Sequence, residues 1–368
     1  MLGTIMSSKI NSYLSSDFSS NVTQKPVACQ ERDPCEDCEV ESLSGSDRED
    51  LTLVPHAPRA PRGLKTGRPQ PNRQSSGVSA DSGVSLIDRD ELEFLEKVGA
   101  GATADVFRGQ WRGREVAIKQ LSLPKQRCKV MKQEVAFSRE TTVAAKVRHN
   151  NLVQFFGAVL ERQPYLMITE FVSGGTVFHL LYVDDNTPKL RWKQRLRMCS
   201  DVANAMDYLH QFKPQIIHRD LKSLNMLLTR SISGPRDMPN VKVSDFGLAK
   251  MKEEQQEWGA MTAQAGTIRW MAPEVPTGRY NEKADVYSYA MVLYEIICYE
   301  VPFHDFETLQ VISAVKSGAR PRLDAVPPDC PVKLMSLMIL CWTQDQSTRP
   351  SFTQVRTALN KILFAMLG

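Results

Sequence analysis

The chain has 368 residues, 42% apolar and 24% charged, a globular composition long enough for about two domains. Its 46 basic and 42 acidic side chains leave a net charge of +4, too nearly balanced for a chain that as a whole seeks nucleic acid or an anionic membrane. The most apolar stretch, from Tyr287 to Phe303, is broken by Glu295 and Glu300 and falls short of the roughly 20 apolar residues a membrane span requires.

The start, "MLGTIMSSKINS", lacks a cationic run ahead of an apolar one and has Leu2 where myristoylation needs glycine. Five of the eight cysteines (Cys128, Cys199, Cys298, Cys330, Cys341) stand without paired spacing, which fits reduced thiols rather than a disulfide scaffold. An intracellular protein is expected. Cys35 and Cys38 offer half a zinc site, but no second half accompanies them, and the preferred reading is a solvated segment.

Residues 1–87 are rich in Ser, Pro, Gly, Asp and Arg without a helical or strand period, and are predicted to form a disordered tail. Within them "ERDPCEDCEVESLSGSDRED" is acidic and "PHAPRAPRGLKTGRPQPNR" is basic and proline-rich. The plain reading is a solvated extended chain; the sharper one is a docking segment for a proline-recognising domain or an acidic partner.

After Asp88 the pattern becomes regular. "ELEFLEKVG" reads as a strand, and alternation resumes on both sides of "RGQWRG", a predicted hairpin turn. Gly99 and Gly101, with Ala104 where a third glycine completes GxGxxG, mark either a tight turn or a hairpin whose backbone lies over a triphosphate. Lys119 ends the apolar strand "EVAIK". The helical stretch that follows carries Glu134 and Glu140, either of which can face Lys119. "HNNLVQFFGAVL" and "YLMITEF" return to strand. Beyond Gly174 and Gly175 the chain turns helical, with Leu196, Cys199, Val202, Ala203, Met206 and Leu209 on one helix face. Strand-rich then helix-rich sequence predicts two lobes.

Between that helix and a short strand lies "HRDLKSLN", a cluster of polar residues flanked by apolar runs, followed by "VKVSDFGLAK" and "GTIRWMAPE". In order, GxGxxA, VAIK, HRDLKSLN, DFG and APE resemble the protein kinases over residues about 92 to 364. "FRGQWRGREVAIK", "HRDLKSLN" and "GTIRWMAPE" are most similar to the tyrosine-kinase-like group, the Ser/Thr kinases related to Raf, mixed-lineage and plant Raf-like kinases.

The resemblance implies an α+β, bilobal protein-kinase fold. It has a β-rich N-lobe with one main helix over about 92–170 and a mostly helical C-lobe over about 173–364. It implies ATP and Mg2+ as cofactors, protein substrates, and transfer of the γ-phosphoryl group to Ser/Thr hydroxyls. Asp220 is the implied acceptor of the hydroxyl proton, Lys222 lies against the transferred phosphate, and Asn225 and Asp245 supply oxygen to magnesium. Lys119 holds the α- and β-phosphates and pairs with Glu140, leaving Glu134 solvated. Val98, Gly99, Gly101, Val106 and Ala117 enclose the nucleotide, Thr169 takes the gatekeeper position, and Glu170 to Val172 form the hinge. His218 packs structurally, Arg219 braces the activation segment, Glu274 pairs with Arg349, and Asp285 anchors the catalytic-loop backbone. Thr262 is left as the phosphorylation candidate. Ala104 in place of glycine, a small Ala144 four residues after Glu140, and the linker "TRSISGPRDMPN", read as a surface excursion, depart from family usage. The competing classes are a pseudokinase scaffold and an adaptor working through its tail. Lys119, Glu140, Asp220, Asn225 and Asp245 together favour the enzyme.

Overall fold

The computed structural model describes residues 83–100, 104–122, 127–183, 189–246, 249–251, 268–278 and 280–366. The expectations for Gly101, Thr262, the Cys35 and Cys38 pair and most of the tail therefore lie outside the described residues.

Strands β1 (Leu92–Ala100), β2 (Ala104–Trp111), β3 (Arg114–Leu121), β4 (Phe155–Val159) and β5 (Leu166–Glu170) form one antiparallel sheet in the order β1-β2-β3-β5-β4. Helix α1 (Arg127–Lys146) joins β3 to β4. The hairpin turn expected within "RGQWRG" occupies only its last two residues, because the strand continues through Trp111. Arg112 and Gly113 both take positive φ, 49° and 72°, the backbone a two-residue turn demands.

Strand alternation then sorts the sheet into two faces. Val106 lies opposite Lys119 and Ala117 opposite Thr169, so all four share one face. The other face carries Val116, Ile118, Leu166 and Ile168, which pack with Ile87 and Val159 into a separate apolar cluster. Residues 83–87 depart here from the predicted tail, since Ser85–Ile87 belong to the N-lobe. The Ile87 N–H donates to Ala158 O and the Ala158 N–H to Ser85 O, both at 2.9 Å, and Ile87 is buried. A Cβ on Gly157 would stand 2.6 Å from Ser85 O, so only glycine lets this segment lie so close. The pairing partner is about 70 residues away, which is why a five-residue window shows no period.

The helical lobe contains α2 (Val177–Tyr182), α3 (Trp192–Gln211), α4 (Lys283–Cys298), α5 (Thr308–Lys316), α6 (Val332–Cys341) and α7 (Phe352–Ala365), with two-stranded pairs β6 (Ile216–Ile217) with β9 (Lys250–Met251) and β7 (Met226–Leu228) with β8 (Val241–Val243). The six residues predicted to share a face of α3 are all buried. Arg195, on the same helix, is buried too. Its guanidinium lies 4.5 Å from the ring centroids of both Trp192 and Tyr299 and donates to the carbonyls of Leu190 and Ile297. Burying that cation is tolerable because two carbonyls accept from it and two aromatic rings lie against it.

Helix α4 is buried from Ala284 to Ile297. A helix apolar on all sides is a core element at this length, and no described helix is long and apolar enough to cross a membrane. The linker after β7 is more anchored than a surface excursion. Gln194 donates to the carbonyls of Gly234 and Asp237, and Ile232 is buried.

The lobes share one continuous core, in which Phe137, Val143 and Ala144 of α1 join Leu196, Met206 and the α4 side chains. The segment after α1 is also stitched to β8: the Val153 N–H donates to Val243 O at 3.0 Å and the Val243 N–H to Asn151 O at 2.8 Å.

A chain beginning at Arg89 should be less stable than one beginning at Gly83. Lost burial of Ile87 costs about 2 kcal/mol and two hydrogen bonds about 1 kcal/mol, roughly 6 to 10 °C in melting temperature for a domain of this size. Calorimetry of the two chains tests this, and a difference under about 2 °C would show that the pairing contributes nothing.

Candidate active site

The site grows from a buried carboxylate. Asp285, in the first turn of α4, accepts the backbone N–H groups of His218 and Arg219, each at 2.8 Å, and faces His210 Nε2 at 2.9 Å. Burial would raise this carboxyl, but the hydrogen bond and charge of His210, with His218 and the Arg219 amide, hold it below the ordinary aspartate value. Two amides converging on one carboxylate bend the chain, and Arg219 takes φ 65°.

The bend delivers the next residues. His218 Nδ1 accepts the Asp220 N–H at 3.3 Å and its Nε2 contacts Ser244 O at 3.1 Å, so the Nε2–H tautomer satisfies both. Its ring lies 5.7 Å from that of Phe246, which makes it the structural residue expected. Asp220 is held from three sides. Lys222 Nζ donates to its two oxygens at 2.9 and 2.8 Å, and Asn225 Nδ2 donates to its carbonyl and to Oδ2, both at 2.9 Å.

From the opposite lobe, Lys119 Nζ reaches Glu140 Oε1 at 2.6 Å and Asp245 Oδ1 at 3.2 Å. Burial works against this ammonium, but the charges of Glu140 and Asp245 more than offset it and keep the lysine protonated well above neutrality. Glu140 is buried, while Glu134 is half-buried and accepts from Gln163 at 2.6 Å. The pair is with Glu140, as the resemblance implied, while Glu134 is less solvated than expected.

Val106, Ala117 and Thr169 stand on the Lys119 face. Val98 sits at a register shift in β1 and is exposed. A Cβ on Gly99 would lie 3.6 Å from Val106 Cβ, an ordinary contact, so internal packing does not demand the glycine. Glu170 begins the hinge: its N–H is taken by Gln154 O at 2.8 Å, and its carboxylate accepts from Lys242 at 2.7 Å and from the Gln154 N–H at 2.7 Å. Val172 follows on the same connection between lobes.

These groups suit a magnesium nucleotide. Asn225 spends its Nδ2 on Asp220, which leaves Oδ1 as its acceptor, and the Asp245 carboxylate is 42% exposed. Magnesium is usually held by one or two protein oxygens together with phosphates and water, and this pair offers two.

The sequence profile described as "Protein tyrosine and serine/threonine kinase" matches residues 92–359. The chain belongs to the protein kinase family. Relatives of the kinase include serine/threonine-protein kinase STY17 of Arabidopsis thaliana, 37% identical over 279 residues, covering 75% of this chain and 45% of the relative. Dual specificity protein kinase pyk3 of Dictyostelium discoideum is 37% identical over 278 residues, 75% of this chain and 19% of the relative. Serine/threonine-protein kinase CTR1 of Arabidopsis thaliana is 33% identical over 297 residues, 80% and 34% respectively. The chain thus spans less than half the length of these relatives.

Away from the chemistry, Glu274 and Arg349 of the kinase pair at 2.6 and 3.0 Å, as expected, with the Arg349 side chain fully buried. Arg219 donates to Tyr280 Oη at 2.8 Å. Sequence reasoning missed three supports: His210 against Asp285, Lys242 against the hinge, and Glu295 beneath the catalytic loop. Lys242 alternates with two buried valines in β8, and Glu295 interrupts an apolar helix. Glu295, a carboxylate inside an otherwise apolar helix, carried a signal that could have found it; Lys242, on the half-buried face of β8, carried none.

Asp285→Asn should destabilise the kinase by about 3 kcal/mol at pH 7, because an amide N–H₂ then faces backbone N–H donors in a buried site. A carboxyl held below its unfolded value adds stability above that value and loses it as pH falls through the lower folded one. Wild type should therefore lose stability on acidification below about pH 4 more steeply than Asp285→Asn. Urea melts from pH 2.5 to 7 measure this, and parallel curves would refute it.

Proposed function

We propose that the chain transfers the γ-phosphoryl group of ATP to Ser/Thr hydroxyls of proteins, with Mg2+, in intracellular signalling. The observation that carries this reading is the joint contact of Lys119 with Glu140 and Asp245, set across the cleft from the carboxylate of Asp220. A pseudokinase scaffold has no need of all five groups, or of a triply held Asp220.

In this reading the hinge from Glu170 to Val172 takes the adenine between Val98, Val106 and Ala117, with Thr169 at the back. The backbone at Gly99 and Gly101 covers the phosphates, and Lys119 orients the α- and β-phosphates. Asn225 and Asp245 hold magnesium, which neutralises charge on the phosphate oxygens. Asp220 accepts the proton of the acceptor hydroxyl as that oxygen bonds to the γ-phosphorus. The bond from the γ-phosphorus to the bridging oxygen breaks, ADP leaves, and Lys222 offsets charge on the moving group.

One relative is named a dual specificity kinase, which favours tyrosine as the second acceptor to test. Regulation belongs to the same proposal. Phosphate on Thr262 adds about −1.5 to −2 charges near neutral pH, and Arg219, next to Asp220 in the sequence, is the cationic partner proposed for it. A docking role for the proline- and arginine-rich tail segment is proposed alongside.

Asp220→Ala and Asp245→Ala should each lower peptide phosphorylation by at least about 10³-fold while leaving a cooperative thermal transition. Radiolabel transfer to a degenerate peptide library, with phosphoamino-acid analysis, measures both rate and acceptor. Activity within tenfold of wild type in either variant defeats the assignment, and phosphotyrosine as the main product defeats the Ser/Thr reading. Thr262→Ala should lower activity to that of phosphatase-treated wild type; equal activity to phosphorylated wild type would remove the switch.

A further inference from the structure

The linker between β7 and β8 is closed at its base, where the Thr229 N–H donates to Asn240 O at 3.0 Å, and is held in its middle by Gln194 of α3. Gln194 is buried, and the two ends of its amide serve different segments. Oε1 accepts the Arg191 N–H at 2.9 Å, while Nε2 donates to Gly234 O at 3.1 Å and to Asp237 O at 2.7 Å. One side chain thus fixes the start of α3, with Arg191, against the linker stretch that contains Arg236.

That stretch is a tight turn. The Asp237 N–H donates to Gly234 O at 3.2 Å, Pro235 takes the second position, which its fixed φ suits, and Arg236 takes the third. Pro235 and Arg236 are exposed. The Asp237 carboxylate is spent inside the turn, its Oδ2 accepting the Ser233 and Gly234 N–H groups at 2.8 and 2.9 Å.

On α3, Lys193 and Arg197 are four residues apart and so share a side of the helix, next to Gln194. Both are exposed, as are Arg191 and, on the linker, Arg230. Arg197 pairs with Asp201 at 3.0 Å, and the other oxygen of Asp201 takes the Val241 N–H at 3.0 Å. Among the described residues no carboxylate pairs with Arg191, Lys193, Arg230 or Arg236. The whole chain carries a net charge of only +4, yet these two segments bring five cations together and engage both of their carboxylates. A merely solvated surface interleaves the two signs.

The residue types narrow the occupant. Four of the five cations are arginines, whose planar forks match carboxylates. A membrane site needs apolar anchors as well as charge, and none of the large exposed apolar side chains falls within 189–197 or 229–240. Single-stranded nucleic acid needs free aromatic faces, but the ring of Trp192 is covered by Arg195 and its N–H is given to Asp329. We propose that the start of α3 and the linker between β7 and β8 form a docking surface for an Asp/Glu-rich segment of a protein partner.

Fluorescence anisotropy of the full chain with a labelled Asp/Glu peptide of about ten residues, at about 50 mM salt and without ATP, tests this independently of catalysis. Wild type should bind it at least about tenfold more tightly than the same peptide with Asn/Gln in place of Asp/Glu. Arg191→Glu combined with Arg236→Glu should weaken binding about tenfold or more, and raising salt to about 200 mM should weaken it severalfold. Lys333→Glu combined with Lys361→Glu, an equal charge change at exposed positions of α6 and α7, should stay within about twofold of wild type. Thermal melts accompany each variant, and if the first pair does not fold, Lys193→Glu with Arg236→Ala carries the same test. The proposal is overturned by a Kd above about 1 mM, by equal binding of the neutral peptide, or by equal losses in the two charge-reversed pairs. It is overturned as well if phosphatidylserine vesicles or an oligothymidylate bind this face more tightly than the peptide does.

Discussion

The geometry of the catalytic loop depends on one buried carboxylate accepting two consecutive backbone amides. Asp285 cannot leave α4, whose side chains are packed on every face, so the chain at His218 and Arg219 must come to it. With that turn fixed, the backbone N–H of Asp220 falls on His218 Nδ1, and the Asp220 carboxylate meets Lys222 and Asn225. Each bond is of ordinary strength. Together they leave Asp220 little freedom, and pre-organisation of this kind is where a phosphoryl-transfer site gains most. Helix α4 thus acts as a platform, with Asp285 under one end of the catalytic loop and Glu295 under its middle.

The second lobe is registered on the first through backbone rather than through the cleft. Asn151, Leu152 and Val153 run along β8, and Lys242 of that strand reaches the hinge carboxylate of Glu170. Because β8 leads directly to Asp245, the strand that positions this carboxylate also sets the height of the hinge. Lys119 completes the connection from the sheet side, pairing with Asp245 at one oxygen while Glu140 of α1 supplies the other anion. The face of the sheet that carries Lys119 is the one open to ligand, since the opposite face is filled by its own apolar cluster.

Much of this could be read in the sequence wherever a period or an ordered motif repeats a physical rule. The apolar spacing on α3 predicted its buried face residue by residue, and Glu274 with Arg349 and Asp285 with the catalytic loop stand as the motif order implied. Alternation alone left Glu134 and Glu140 equivalent; the difference is burial, a property of where α1 packs. What stayed hidden is long-range and one-residue in scale. Ser85–Ile87 join the N-lobe because Gly157, some 70 positions away, leaves room for them. The linker after β7 is held by Gln194, a polar residue inside an otherwise apolar pattern. A glycine or a glutamine says where the chain is unusual without saying what will occupy the place.

Two non-glycine residues of the site take left-handed backbone, Arg219 at φ 65° and Asp245 at φ 66°. Such a conformation costs an L-residue about 1 kcal/mol and persists only where the surroundings over-determine it. Arg219 is held by Asp285, which takes its amide, and by Tyr280, which accepts from its guanidinium. Asp245 stands between Ser244, whose N–H and Oγ both donate to Asn225 O, and Phe246, buried against the His218 ring. The two strained residues are therefore linked, because His218 touches both the catalytic-loop turn and the segment carrying Asp245 through Ser244 O and Phe246. A small residue at Ala144 is tolerable on this account: Phe246 finds a ring partner in the catalytic loop, and its anchoring does not fall to α1 alone. Asp220 and Asp245 are thereby placed by one network, with Asp285 at its root.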